Sequence, residues 1–242
     1  MGASRRVLIW DLPLRVFHWA LVVCVVGAFV CAQIGGNAML WHGRFGLAVL
    51  GLLVFRIVWG FSGSTYARFT QFVRGPSAIK AYLKGQWTGE GGQWTGEGHN
   101  PLGALSVLGL LGTLLLLVST GLFSNDDIAF EGPLYTLVGK DLSDKLVGIH
   151  RLIEPLIIFL VLTHIGAILF YAHVKKMNLV KPMVRGWKEV ESGEDTQDAR
   201  GGGVVPFVVA AVIAVAAVWA ASGALLPPAP PPTAVINTGP SF

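Results

Sequence analysis

Five apolar stretches of the sequence are each long enough to cross the roughly 30 Å hydrocarbon core of a bilayer as an α-helix. They span residues 16–34, 42–61, 101–123, 146–171 and 204–226. Only 13% of the residues are charged, whereas a soluble domain of this size carries roughly 25%. The sequence therefore predicts an integral membrane protein with five transmembrane helices, surrounded by lipid.

The basic residues sort by side of the predicted membrane. Most of them precede the first stretch or follow the second and fourth, whereas the segment 124–144 between the third and fourth is acidic and carries only Lys140. Lysine and arginine are enriched in cytoplasmic loops. The pattern predicts a bacterial cytoplasmic (inner) membrane protein with a cytoplasmic N-terminus and a periplasmic C-terminus. The net charge of +4 forms no single basic patch, so it does not indicate a nucleic-acid partner.

The pattern divides the chain into four parts. Residues 1–188 are predicted to form a four-helix transmembrane domain, 189–203 a polar linker, 204–226 a fifth transmembrane helix, and 227–242 a proline-rich external tail. The fifth helix contains no ionisable residue, so a packing or anchoring role is expected for it. The heptad GQWTGEG occurs twice in tandem, at 85–91 and 92–98. We interpret this repeat as a tolerated insertion in a cytoplasmic loop.

Four of the six histidines lie within the predicted spans: His18, His42, His150 and His164. Ionisable residues are costly there and usually functional. His150 and His164 are 14 residues apart, which is close to four helical turns and about 21 Å of rise, so they share one helix face. The alternating direction of the helices places His18 at the depth of His164 near the cytoplasm. It places His42 at the depth of His150 near the outside.

Each predicted pair can supply two axial imidazoles to one iron porphyrin. Zinc is a weaker interpretation, because it normally takes four tetrahedral ligands and each depth offers two histidines with no cysteine beside them. The glycines that accompany the histidines give the clearance that a porphyrin face needs. The predicted fold is an all-α membrane four-helix bundle that holds two haems, with a fifth transmembrane helix added.

Two further groups of polar residues accompany the histidines. Arginines favour the anionic haem propionates, although arginines near helix ends also extend to lipid headgroups. The candidate arginines are Arg15, Arg44, Arg56 and Arg151. His99 and Asn100 lie where the third helix starts, at the level of the inner pair. They either cap that helix or contribute to a quinone-binding site.

Six segments carry a resemblance to a known family. They are RVFHW (15–19), WHGRFG (41–46), FRIVWGFSGSTYARFTQF (55–72), GHNPLGALS (98–106), GIHRLIEPLIIFLVLTHIGAILFY (148–171) and NLVKPMVRG (178–186). In these segments the chain resembles the bacterial, nickel-hydrogenase-type cytochrome b family. The resemblance implies two haems b ligated by His18, His42, His150 and His164, and electron exchange between a partner redox protein and the quinone pool. The related formate-dehydrogenase-type subunits are similar around Asn100, where an asparagine-containing loop lies near quinone.

Three functions remain open at this point. The first is an electron-transfer subunit of an oxidoreductase complex, with a hydrogenase-like protein, a cytochrome c or a dehydrogenase as its partner. The second keeps the haems but makes the chain an outer-sphere reductase, since doubly ligated iron has no open position. The third is a non-redox scaffold or transporter whose histidines bind metal or protons.

Overall fold

The computed structural model describes residues 4–85, 98–128, 130–191 and 196–227. Most of the doubled heptad and the proline-rich tail beyond residue 227 lie outside these ranges. The elements in chain order are β1 (Ser4–Leu8), α1 (Leu12–Ile34), α2 (Met39–Ser62), α3 (Phe69–Phe72), α4 (Pro76–Leu83), α5 (Pro101–Gly121), α6 (Lys140–His173), α7 (Val180–Arg185), β2 (Trp187–Glu191) and α8 (Val204–Ala221). Helices α1, α2, α5, α6 and α8 are long and apolar enough to span a membrane, which confirms the predicted five spans.

Three of these helices begin earlier than the hydropathy predicted: α2 by three residues, α1 by four and α6 by six. Helix α1 begins at Leu12 because the Asp11 side chain accepts a hydrogen bond from the Leu14 amide at 2.7 Å and a proline follows in the first turn. Both features favour a helix start. Helix α6 begins at Lys140, with Asp141 in its first turn, where a carboxylate interacts favourably with the helix dipole. Hydropathy misses the start of α6 because most of residues 140–145 are polar.

The connection between α1 and α2 is the tight turn that the sequence predicted. Gly35 and Gly36 have φ angles of 70° and 53°, a backbone conformation that glycine adopts without steric cost. The turn makes α1 and α2 antiparallel neighbours. We call the end of the bundle that holds this turn the outer end, and the opposite end, where α1 and α5 begin, the inner end.

The helices pack in a chain of neighbours. Helix α1 packs against α2, α2 packs against α5 and α8, and α5 packs against α6. Between them lies an apolar core centred on Val49, Leu53, Leu114, Val118 and Ile157. Helix α6 contacts α1 and α2 only slightly. The two helix pairs that carry the histidines therefore face each other with little direct packing between α6 and the first two helices.

The inner end is closed by a two-stranded antiparallel sheet, which the all-α prediction did not include. Strand β1 pairs with β2 so that Val7 lies opposite Lys188 and Arg5 lies opposite Val190. Val7 and Val190 are buried in an apolar cluster with Trp10. The sheet therefore joins the start of the chain to the segment that follows α6 and α7.

The segment 189–203, predicted to be a polar linker, makes backbone contacts in its described residues. Its first residues belong to β2, and Val190 is buried. Further along, the Ala199 amide donates to the Leu8 carbonyl at 2.7 Å, and the Thr65 amide donates to the Arg200 carbonyl at 2.8 Å. A polar composition indicates exposed side chains, but it does not exclude backbone pairing. The described part of this segment is thus packed on the inner end.

Helix α8 packs along α2 through small residues. Ala210 is fully buried and Ala214 is nearly so. A Cβ added at Gly51 of α2 would lie 2.8 Å from the Val218 side chain, so glycine permits this close approach. Small residues at a helix interface let backbones approach within a membrane, which agrees with the packing role expected for the fifth helix.

A candidate haem site formed by two histidine pairs

The outer histidine pair joins α2 to α6. The ring centres of His42 and His150 lie 6.1 Å apart, and the ring planes are inclined at 73°. With a metal–nitrogen distance of about 2 Å, two imidazoles on opposite sides of one metal ion place their ring centres roughly 6 Å apart. The structure therefore brings together the outer pair that the depth argument predicted.

Both outer imidazoles are oriented by main-chain carbonyls. Nδ1 of His42 lies 2.9 Å from the Ala28 carbonyl oxygen, and Nδ1 of His150 lies 2.9 Å from the Leu117 carbonyl oxygen. A carbonyl oxygen only accepts, so Nδ1 donates in both cases and Nε2 keeps its lone pair. Metal-ligating histidines in proteins characteristically have this arrangement, because the second nitrogen's hydrogen bond fixes the tautomer and the ring orientation.

The absence of a side chain at Gly121 leaves room for the His150 ring. A Cβ added at Gly121 of α5 would lie 3.3 Å from Cε1 of His150, which is closer than ordinary packing. Thr120 also lies beside this ring, with its hydroxyl 3.1 Å from Nδ1. The end of α5 is thus shaped to receive the imidazole.

The inner pair is formed by His18 of α1 and His164 of α6. The two imidazoles lie within electrostatic range of each other, and the ring of His18 meets Trp19 edge-on with ring centres 5.0 Å apart. Nδ1 of His18 is buried and has no hydrogen-bond partner within the described ranges. The inner pair therefore differs from the outer one, whose rings are both fixed by carbonyls.

His99 lies beside the inner pair, as the sequence predicted from its level in the membrane. Its ring packs against Trp10 and Phe72, with ring centres 4.9 Å and 4.5 Å away. Burial first, and then the charges of Arg56, His164 and His18, lower the pKa of His99 to about 3. His99 is therefore neutral at physiological pH. Its buried Nδ1 has no partner within the described part of the chain.

Asn100 is the N-cap of α5 and also contacts α6. Its side-chain oxygen accepts a hydrogen bond from the Gly103 amide at 2.7 Å, and its Nδ2 donates to the Tyr171 hydroxyl at 2.8 Å. The Tyr171 hydroxyl is also hydrogen-bonded to the Tyr82 hydroxyl of α4. Asn100 therefore caps the helix and, in addition, holds a pair of phenols beside His99.

The two tyrosines were missed by the sequence analysis. Tyr171 follows His164 by seven residues, which is about two turns of helix, so the two share a face of α6. That spacing was a usable signal. Tyr82 gave none, because it lies on the short helix α4, outside the predicted spans.

The four candidate arginines have different surroundings. Arg56 is 2% exposed, lies over the Phe69 ring at 4.6 Å, and has an Nη1 without a hydrogen-bond partner in the described residues. Arg15 donates to the Val184 carbonyl at 2.7 Å. Arg44 lies exposed over the Trp41 ring at 4.7 Å, and Arg151 is exposed. Arg56 is therefore the most buried of the four arginines, and the Asp11 carboxylate lies within electrostatic range of it.

Comparison with known proteins decides the family. The family described as prokaryotic cytochrome b561 matches residues 9–186. The chain belongs to the prokaryotic cytochrome b561 family. Membership makes this protein a membrane cytochrome b that binds haem b and takes part in electron transfer, and it confirms the resemblance found in the sequence. Among curated proteins and solved structures, no significant match is found.

The family match covers the helices that carry the histidines. It begins in front of α1 and ends after α7, so it includes both pairs and leaves β2 and α8 outside. Within the described residues no three His, Cys, Asp or Glu side chains form a metal-binding group. Two opposed imidazoles suit haem iron, whose other ligands come from the porphyrin. The residues of this cytochrome b561 therefore fit the haem that its family implies.

Proposed function

We propose that this protein holds two haems b, one between each histidine pair, and transfers electrons between a partner redox protein and the quinone pool. The observation that carries the proposal is the outer pair, with ring centres 6.1 Å apart and each Nδ1 bound to a carbonyl oxygen. His42 and His150 would ligate the outer haem, and His18 and His164 the inner one. When bound, the haems supply one-electron redox couples.

The position of the pairs supports electron transfer across the membrane. His150 and His164 lie on the same helix, about 21 Å apart at 1.5 Å of rise per residue. Two redox centres at these depths would shorten the distance that an electron crosses in each transfer step. The chain's own part is to hold each ring in place and to exclude water from the core around Leu53 and Leu114.

Arginines compensate the propionate charges in this proposal. Arg56 is buried, and its Nη1, which has no hydrogen-bond partner among the described residues, suits a carboxylate partner. Arg15, Arg44 and Arg151 are less buried, and we assign them a weaker propionate interaction at the two ends of the bundle. The alternative for these three is contact with lipid headgroups.

We place the quinone site at the inner end, beside His99. The neutral His99 imidazole, whose Nδ1 has no partner in the described part of the chain, can donate a hydrogen bond to a quinone carbonyl oxygen. Asn100 contributes indirectly. Its Nδ2 donates to the Tyr171 hydroxyl at 2.8 Å, so it positions that phenol beside the proposed quinone. The competing location is a cleft of about 700 Å³ at the outer end, lined by Gly43, Arg44 and Phe130 among others.

Two other functions stay open and are separated by their chemistry. An outer-sphere reductase keeps both haems but passes electrons to a small soluble acceptor. A scaffold or transporter contains no haem, and zinc binding there would require more ligands than each pair offers. The proposed location is the bacterial inner membrane with the inner end facing the cytoplasm, which the distribution of lysine and arginine supports.

The test is the haem content and reactivity of the purified, fully loaded protein. We expect two haems b per chain, a low-spin spectrum of the reduced form, and reoxidation by added quinone. One haem per chain would contradict the second pair, and none would favour the scaffold. Two haems that are reoxidised by a soluble acceptor and not by quinone would favour the reductase.

A further inference from the structure

A basic cleft lies at the inner end, between the end of α6, helix α7 and the two-stranded sheet. Its volume is about 340 Å³, within the range of roughly 300–1,000 Å³ typical of ligand sites. One carboxylate, that of Glu189, contributes to its lining. The basic side chains that line it are Arg6, Lys176, Lys181, Arg185 and Lys188.

Local backbone structure brings these cations together. Lys176 has a φ angle of 55°, so the chain turns sharply after α6. The Asn178 side chain then accepts from the Lys181 amide at 2.9 Å. After α7, Gly186 has a φ angle of 91°, and the register of the sheet places Arg6 opposite Glu189. The cleft is therefore a consequence of two turns and a strand pairing.

Among the described residues, the lining of the cleft contains more basic side chains than carboxylates. Glu189 lies 3.5 Å from Lys181, and both side chains are about half exposed. Surface ion pairs of this kind contribute little to stability. Four or more cations around one carboxylate repel one another, and an anion bound among them lowers that repulsion.

Apolar side chains, among them Met177, Leu179 and Trp187, also line the cleft, which favours a lipid over a soluble anion. Val180 and Val184 lie one turn apart on α7 and are 44% and 54% exposed, and Trp187 beside them is 49% exposed. Tryptophan is enriched at the level of lipid headgroups. The exposed valines offer an apolar surface for acyl chains directly beside the cations.

We propose that this cleft binds the headgroup of an anionic phospholipid, such as phosphatidylglycerol. The phosphate lies among Arg6, Lys181 and Arg185, and the acyl chains follow the exposed face of α7. Basic pockets on the cytoplasmic side of membrane proteins recognise anionic headgroups in this way. The proposal does not depend on the haem assignment.

Lipid bound here would also stabilise the inner histidine pair. Helix α7 is tied to α1 by two hydrogen bonds: Arg15 donates to the Val184 carbonyl at 2.7 Å, and Nε1 of Trp19 donates to the Met183 carbonyl at 3.2 Å. Trp19 in turn contacts His18. Holding α7 in place therefore holds the side of α1 that carries His18.

The test measures lipid affinity in the purified full-length protein. The triple variant Lys176→Gln, Lys181→Gln, Arg185→Gln removes three charges from the cleft. Native mass spectrometry and thermal stability in detergent are recorded with phosphatidylglycerol, phosphatidylcholine or inorganic phosphate. We expect phosphatidylglycerol alone to bind tightly and raise Tm in the wild type, and to bind roughly 100-fold more weakly in the variant, about fivefold for each lost charge.

The matched control removes three charges from the same face but outside the cleft: Arg74→Gln, Lys80→Gln, Lys84→Gln. It should bind phosphatidylglycerol as the wild type does. A charge-preserving variant, Lys176→Arg, Lys181→Arg, Arg185→Lys, should also retain binding, which separates loss of charge from loss of fold. Equal weakening in the control, unchanged binding in the cleft variant, or an equal effect of inorganic phosphate would each overturn the proposal.

Discussion

His42 and His150 are held on opposite sides of one small space by carbonyls from two further helices. The His42 ring is oriented by Ala28 of α1, and the His150 ring by Leu117 of α5. All four helices of the bundle therefore meet at this pair, whose ring centres are 6.1 Å apart. A change in the packing of any one helix therefore alters the distance between the two imidazoles that would hold the proposed outer haem.

Removing either member of a pair should remove the same redox component. We expect His42→Ala and His150→Ala to lose the outer haem, and His18→Ala and His164→Ala to lose the inner one, because each iron needs both axial imidazoles. Redox titration of the four variants by visible spectroscopy is the measurement. Loss of the same component in the His18 and His42 variants would refute the pairing.

Arg56→Gln should lower the midpoint potential of the inner haem. Its buried positive charge stabilises the reduced form, which is the less positive of the two. A tenfold change in the one-electron equilibrium corresponds to about 59 mV, and we expect a shift of roughly that size. The exposed Arg44 is the matched control, and Arg44→Gln should leave the inner potential unchanged. Arg56→Lys should recover most of the shift, and failure to do so would indicate a packing effect over Phe69.

Quinone-dependent oxidation should depend on His99, Asn100 and Tyr171. We expect His99→Leu, Asn100→Leu and Tyr171→Phe to slow reoxidation of the reduced protein at least about tenfold, because each removes a hydrogen-bonding group beside the inner pair. Stopped-flow spectroscopy on samples of verified haem content gives the rates. Tyr135→Phe, on the outer side, is the control. If all three variants keep normal rates and inhibitor sensitivity, the site lies in the outer cleft near Arg44.

The C-terminus should face the periplasm. A reporter that is active only in the periplasm should be active when fused at the C-terminus and inactive when fused after Lys188, because one span, α8, separates the two positions. The reverse result would mean that the inner end of the bundle faces the periplasm and the outer end faces the cytoplasm.

The sequence predicted the features that depend on hydropathy and on the helical repeat. Hydropathy predicted five spans, and the alternating direction of the helices, with the turn at Gly35, predicted that His42 and His150 lie at the same depth, where their rings are neighbours. The position of Tyr82 was not predicted, because α4 is too short for a helical repeat to be recognised in its sequence. The contact between Ala199 and Leu8 was also not predicted, since backbone pairing between distant segments leaves no trace in composition.

The burial of Arg56 was only partly predictable. Its place inside a span suggested a function, but the cover that Phe69 provides depends on how α3 folds back after α2. Likewise, the sequence placed Asn100 at a helix start without showing that its amide reaches Tyr171. Contacts of this kind depend on tertiary packing, which hydropathy does not encode.

The pairing of β1 with β2 has a consequence for biosynthesis. Strand β1 is synthesised early. Its partner β2, Trp187–Glu191, is synthesised only after helices α1 to α7. At a translation rate of about 5–20 residues per second, roughly 10–35 seconds pass between the synthesis of β1 and that of β2. The inner end of the bundle therefore stays open until translation has passed β2, and only then can the sheet close over it.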